Sequence, residues 1–253
     1  MMRAEGRGPF LESIPSLEPY LVGGARMEER GEGVRFILDG ASAGEYSDSQ
    51  LDDFHGRERK GFVWRPPATL AVRARFSHGQ GVLRGTAGFG WWNAPFVGDQ
   101  AINATVGPQV LWFFFGSPPS NLAAAPGWSG NGWFAQGLNV PTWPNWFTKL
   151  GMFALRLPLL NRLAHRAAEG ATRASEQPLH HLDITQWHDY RIEWRKKEAN
   201  FWVDDTHILR THSPPQGPLA LVLWIDNQWA TLQGNGGLLD IPQPQWMELN
   251  FSS

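Results

Sequence analysis

The 253-residue chain has no cysteine, which removes disulfides and thiolate metal sites and leaves the redox compartment open. It has no apolar run long enough to cross a bilayer. Residues 1–12 lack the apolar core of a secretory signal, so a cytoplasmic protein is expected. Charge is sparse, at 18% of residues with a formal net of −2, which gives nucleic acid no electrostatic footprint. There is no Gly-x-Ser-x-Gly elbow for a serine hydrolase. His180 and His181 are adjacent and would point to opposite faces of a strand, so they make a poor metal site. No metal or cofactor is expected.

Glycine (28), proline (19) and tryptophan (14) are plentiful. The first two imply many turns, and indoles in that number build either a β core or a stacking surface for a ligand. The chain reads as one domain over 1–253, all-β, with one helical insertion. Residues 1–33 are polar and glycine-rich and are expected to be an irregular lead-in. Val34–Leu38 is a short strand. Over 45–54, Tyr46, Asp48, Gln50 and Asp52 alternate onto one face, which suits a sheet edge or the wall of a wet cleft. Leu70–Phe76 alternates apolar residues with Arg73 and Arg75, and 85–93 interleaves glycines with Phe89, Trp91 and Trp92. Val110–Gly116 is an aromatic strand carrying no acid, hydroxyl, amide or histidine.

Residues 118–144 are expected to form a long loop, and 145–171 an amphipathic helical segment in which Pro158 makes a kink or starts a second helix. Together, 118–176 would be a loop plus lid. Its basic residues admit a second use, contact with an anionic membrane surface. Strands then resume at Asp189–Trp194, Phe201–Val203, Leu219–Gln228 and Gln245–Phe251. In the third of these, Leu219, Leu221, Leu223 and Ile225 share one face, and Ala220, Val222, Trp224, Asp226 and Gln228 share the other.

The ordered set 187–194, 201–205, 218–224 and 246–251 resembles the closing strands of family-16 glycoside hydrolases, of the concanavalin A-like lectin/glucanase superfamily. The resemblance spans roughly 60–117 and 185–251. It implies a jelly-roll of two curved antiparallel sheets with a ligand cleft on the concave face. It also implies that Val110–Gly116 occupies the place of the strand bearing Glu-x-Asp-x-(x)-Glu. A retaining glycosidase needs two carboxylates about 5–5.5 Å apart, and neither alternating set of this strand contains one. The family's calcium site uses an acid in the closing strand, where this chain has Asn250.

Asp226 is the best candidate for acid/base work, or it ties down a loop. Asp48 and Asp52 are either its partners or charge on an exposed edge. Trp64, Trp91, Trp92, Trp112, Phe114 and Trp224 form a stacking platform or fill the core; Asn93, Asn227 and Gln228 are candidate hydrogen-bonding groups. Two functions follow. In the first, an aromatic cleft under a helical lid holds an apolar or amphiphilic small molecule and supports non-hydrolytic acid/base chemistry. In the second, the protein is a lectin-like carbohydrate binder or a diverged glycoside hydrolase.

Overall fold

The computed structural model describes residues 17–94, 107–124, 128–140, 173–231 and 235–251. These residues form sixteen strands: β1 (Glu18–Val22), β2 (Ala25–Arg30), β3 (Gly33–Leu38), β4 (Asp48–Asp52), β5 (Ala68–Phe76), β6 (Thr86–Trp92), β7 (Gln109–Gly116), β8 (Gly132–Asn139), β9 (Arg173–Pro178), β10 (His188–Trp194), β11 (Ala199–Val203), β12 (Thr206–Thr211), β13 (Ala220–Asp226), β14 (Gln228–Ala230), β15 (Gly236–Leu238) and β16 (Gln245–Phe251). Seven make a first sheet in the order β1-β4-β13-β6-β7-β8-β9, and seven a second in the order β12-β11-β10-β5-β16-β3-β2. The β14–β15 ribbon stands apart. Every strand pair in the two large sheets is antiparallel. The architecture is an all-β jelly-roll sandwich.

The period-2 pattern explains the layers, because alternate side chains on each strand enter the space between the sheets. Leu221, Leu223 and Ile225 of β13, Phe89 and Trp91 of β6, Phe113 and Phe115 of β7 and Trp133 of β8 fill it from the first sheet. Val72, Phe76, Tyr190, Ile192, Trp194, Phe201 and Met247 meet them from the second.

Several expectations are corrected. The lead-in is not irregular throughout: its later part forms β1 and β2, and β1 pairs along the whole of β4. β4 is therefore no edge; it lies between β1 and β13, and all five of its residues are buried. The loop expected over 118–144 contains β8, and β9 begins inside the region assigned to loop and lid. β8 was obscured because its glycines and Gln136 blur the apolar alternation. The helical segment at 145–171, with the lid and membrane contact proposed for it, lies outside the described residues. Among the described residues no helix is long and apolar enough to cross a membrane.

On the outer face of the second sheet, arginines and indoles interleave across strands. Arg35 stacks over Trp246 at 4.2 Å, Arg75 over Trp187 at 4.6 Å and Arg191 over Trp202 at 4.6 Å. The nearly buried Glu248 receives Arg35 at 2.7 Å and Arg75 at 3.0 Å, so one carboxylate ties β16 to both neighbours. Burial pushes its pKa up, but the bonds from Arg35 and Arg75 outweigh that and hold it below the ordinary value. A depressed folded-state pKa stabilises the protein above the unfolded pKa, and the contribution fades as pH falls through the folded one. Glu248→Gln should therefore lower stability near neutral pH and much less in acid. Urea denaturation at both pH values measures the difference; equal losses at the two would show that the ion pairs are not its source.

Candidate functional site

The outer face of the first sheet is set by register. Asp48, Gln50 and Asp52 of β4 stand opposite Asp226, Trp224 and Val222 of β13. Those stand opposite Thr86, Gly88 and Gly90 of β6, which in turn meet Gly116, Phe114 and Trp112 of β7. Trp112 and Phe114 face Gln136 and Phe134 of β8, and Gln136 faces Glu176 of β9. One face thus carries a polar end on β4, an aromatic middle, and a second polar group on β8 and β9.

The aromatic middle is closely packed. Trp112 lies 5.1 Å from Phe114, 5.5 Å from Trp224 and 6.2 Å from Trp92, ring centre to ring centre. Gly88 and Gly90 make this arrangement possible. A Cβ on Gly88 would come within 2.7 Å of the Trp224 ring, and one on Gly90 within 2.5 Å of Trp112 Cβ. The indoles are fixed by hydrogen bonds: Trp224 Nε1 donates to Thr86 Oγ1 at 2.9 Å and Trp112 Nε1 to Gln136 Oε1 at 2.8 Å. Gln136 Nε2 donates to Glu176 Oε1 at 2.6 Å, and Glu176 Oε2 accepts from Trp128 Nε1 at 3.1 Å. Trp224 and Phe114 are buried, whereas Trp92, Trp112 and Trp128 are only half-buried and present ring surface.

At the polar end, Asp226 Oδ1 accepts from the Thr86 hydroxyl at 2.7 Å, the Thr86 N–H at 3.2 Å and the Gln228 N–H at 2.9 Å. Asp48 Oδ2 accepts from the Tyr46 hydroxyl at 2.9 Å. Asp52 accepts from Gln50 Nε2 at 2.8 Å and from the N–H groups of Phe54 and His55, and it also contacts His55 Nδ1. The His55 ring stacks on Tyr20 at 4.2 Å. Burial raises the Asp226 pKa to about 6 against the pull of the bonds from Thr86 and Gln228. Burial, then the charge of Asp226, raises Asp48 well above the ordinary value, with the bond from Tyr46 acting the other way. Tyr46 is raised too, first by burial and then by Asp226 and Asp48.

The candidate residues divide. Trp92, Trp112, Phe114, Trp224 and Asp226 are on this face together. Trp91 is not: it is wholly buried between the sheets, 5.4 Å from Trp194, because it is one residue out of phase with Trp92. Trp64 packs against Trp91 at 5.7 Å and donates to Asp53 at 2.6 Å, on the core side. Asn93 spends its amide tying the end of β6 to the chain before β7, through Gln109 N–H at 3.0 Å and Gly107 C=O at 2.9 Å. Asn227 is fully buried and binds the backbone of Ser47, Ser42, Glu45 and Leu239. Gln228 leaves β13 for the β14 ribbon and is exposed. Sequence reasoning missed Thr86, Trp128, Gln136 and Glu176; the last two sit on strands it had read as loop and lid. Among the described residues no group of three or more His, Asp or Glu is arranged to hold a metal.

No protein-family model and no curated protein matches the sequence. Among solved structures, the laminarinase catalytic domain from Thermotoga maritima aligns at 14% identity and TM-score 0.45, covering 90% of this chain and 78% of its own. The Bacillus licheniformis β-glucanase aligns at 10% and 0.45, covering 92% and 89%. The GlcNAcα1-4Gal-releasing endo-β-galactosidase from Clostridium perfringens aligns at 15% and 0.47, covering 92% of this chain and 57% of its own. At such values, what those enzymes cleave says nothing of this chain. The fold class is fixed by its own two antiparallel seven-stranded sheets, and it is a jelly-roll β-sandwich.

Proposed function

We propose that the protein binds a carbohydrate across the outer face of the first sheet. The observation that carries this reading is the pairing, on one face, of half-buried indoles with carboxylate and amide groups on either side. A sugar ring has an apolar C–H face and a rim of hydroxyls, so it needs a flat aromatic floor flanked by hydrogen-bond acceptors. Trp92 and Trp112 supply the floor; Asp48, Gln50, Asp52 and Asp226 lie to one side, with Gln136 and Glu176 on the other. An apolar ligand would make no use of that polar rim, whereas the hydroxyls of a sugar would. The amphiphile reading also needs a lid over 145–171, which lies outside the described residues.

A glycan array followed by calorimetry with soluble β-glucans and galactans tests this. Trp112→Ala removes an indole worth roughly 1.5–3 kcal/mol of burial, so affinity should fall roughly tenfold to a hundredfold. Unfolding midpoints check that the variant is folded. A flat calorimetric response of the parent protein to all polymers, with a co-purifying lipid or other amphiphile seen by native mass spectrometry, would replace the carbohydrate with the amphiphile.

A further inference from the structure

Asp226 and Asp48 stand directly opposite each other on paired antiparallel strands, a placement that sets Cβ atoms about 4.5–5.5 Å apart with side chains on one face. Both are nearly sealed, at 5% and 2% exposed. The groups facing them are Tyr46, Tyr20 and Asp52, from the chain before β4, from β1 and from β4 itself; none is a cation. Two buried carboxylates side by side without a counter-ion cannot both be ionised cheaply. The remaining polar contacts show how the charge is divided. Asp226 Oδ1 takes three donors, as an anion would. Asp48 Oδ1 is buried with no hydrogen-bond partner among the described residues, an atom left over unless it carries or shares a proton. The pair adjoins the aromatic floor, since Trp224 is two residues from Asp226 on the same strand face and 5.5 Å from Trp112.

We propose that Asp226, with Asp48 as its positioning residue, is the acid/base group of a glycoside-cleaving site on the outer face of the first sheet. This rests on the carbohydrate reading and puts the chemistry on β13 and β4, away from the acid-free β7. The proton held by the pair passes through Asp226 to the bridging oxygen as that oxygen's bond to the anomeric carbon breaks. Water adds its oxygen to the anomeric carbon and returns a proton to the pair. One water is consumed, each fragment ends in a hydroxyl, and the pair is restored.

The role of Asp48 has a signature that a merely structural role lacks. Asp226 ionises at about 6, and burial with the charge of Asp226 raises Asp48 well above its ordinary range, so two like groups face to face keep one proton on the pair to higher pH than Asp226 alone would. Asp48→Asn removes that proton. Asp226 alone is then largely ionised at neutral pH and becomes a proton donor only as the pH falls towards 6 and below. Reducing-end release from soluble β-glucans and galactans should therefore drop about tenfold at pH 7 in Asp48→Asn, because a carboxyl ionising at about 6 is roughly one-tenth protonated there, and recover in acid. In Asp226→Asn it should be lost at every pH.

A loss in Asp48→Asn by the same factor at every pH, or no loss, overturns the proposal. So does a parent protein that binds a polymer and releases no ends from it. If neither binding nor release occurs, the carbohydrate reading fails, and the pair is judged by carbon-13 NMR of aspartate-labelled protein without ligand. A carboxyl proton retained above pH 7 in the parent, and absent in Asp48→Asn, upholds the pair. Two ordinary carboxyl titrations overturn it.

Discussion

Phe113→Ala is expected to lower the stability of the fold by about 3–5 kcal/mol, the range for removing a large buried aromatic. Phe113 is completely buried at the middle of β7, and its ring lies 4.9 Å from Tyr190, 5.6 Å from Phe89, 5.7 Å from Phe201 and 6.1 Å from Trp133. Two of these, Phe89 and Trp133, come from other strands of the first sheet, and two, Tyr190 and Phe201, come from the opposing sheet. The cavity would open at the junction of the layers, among these rigid aromatic rings. Trp112, one residue earlier, faces the other way and is only half-buried, so Trp112→Ala should cost much less stability while costing binding. Urea denaturation of the two variants side by side reads this contrast. If Phe113→Ala cost less than Trp112→Ala, the assignment of the two faces of β7 would be wrong.

Gly90→Ala should cost about 2–6 kcal/mol, from backbone strain of about 1–3 kcal/mol together with overpacking of about 1–3 kcal/mol. Gly90 has φ of 151°, and an added Cβ would come within 2.3 Å of the Leu111 carbonyl and 2.5 Å of Trp112 Cα. Both atoms belong to the partner strand β7, whose backbone cannot swing aside without breaking the β6–β7 ladder. The methyl would also lift Trp112 from the sheet, so carbohydrate affinity should fall with stability. Gly31→Ala is the control: its φ of 61° is also positive, in the left-handed region, but nothing lies within 4 Å of the added carbon. Its loss should be limited to about 1–2 kcal/mol, and it should leave binding unchanged. Equal losses in the two variants would show that the close approach of β6 to β7 carries no weight.

Legibility differed from strand to strand. β13 was readable except at its end, where Gln228 leaves the strand, because Leu219, Leu221, Leu223 and Ile225 alternate with Val222, Trp224 and Asp226 without interruption, and the core takes the first set. β7 was readable as a strand, and its lack of acids holds on either face. Trp91 and Trp92 could not be separated by residue type, since both are large indoles; only phase decides that one enters the core and the other the outer face. β8 and β9 were missed because glycine, proline and polar residues mask short strands that draw their stability from their neighbours. With them went Gln136 and Glu176, which orient Trp112 and Trp128.

The sequence alone determined that the chain is built of two-faced strands, that the aromatic strand Val110–Gly116 has nothing on it to carry proton transfer, and that Asp226 shares a face with Trp224. It could not determine what lies beside Asp226. Tyr46, Asp48, Gln50 and Asp52 read as either a sheet edge or the wall of a wet cleft, and the fold buries Asp48, Gln50 and Asp52 in an inner strand, because β1 pairs with one side of β4 and β13 with the other. The physical reason is that side-chain alternation is a local property of each strand. Which strands pair is settled by backbone hydrogen bonds between segments far apart in sequence, as those holding Asp48 and Asp226 are, and those bonds carry no residue label. Only that pairing sets Asp48 against Asp226.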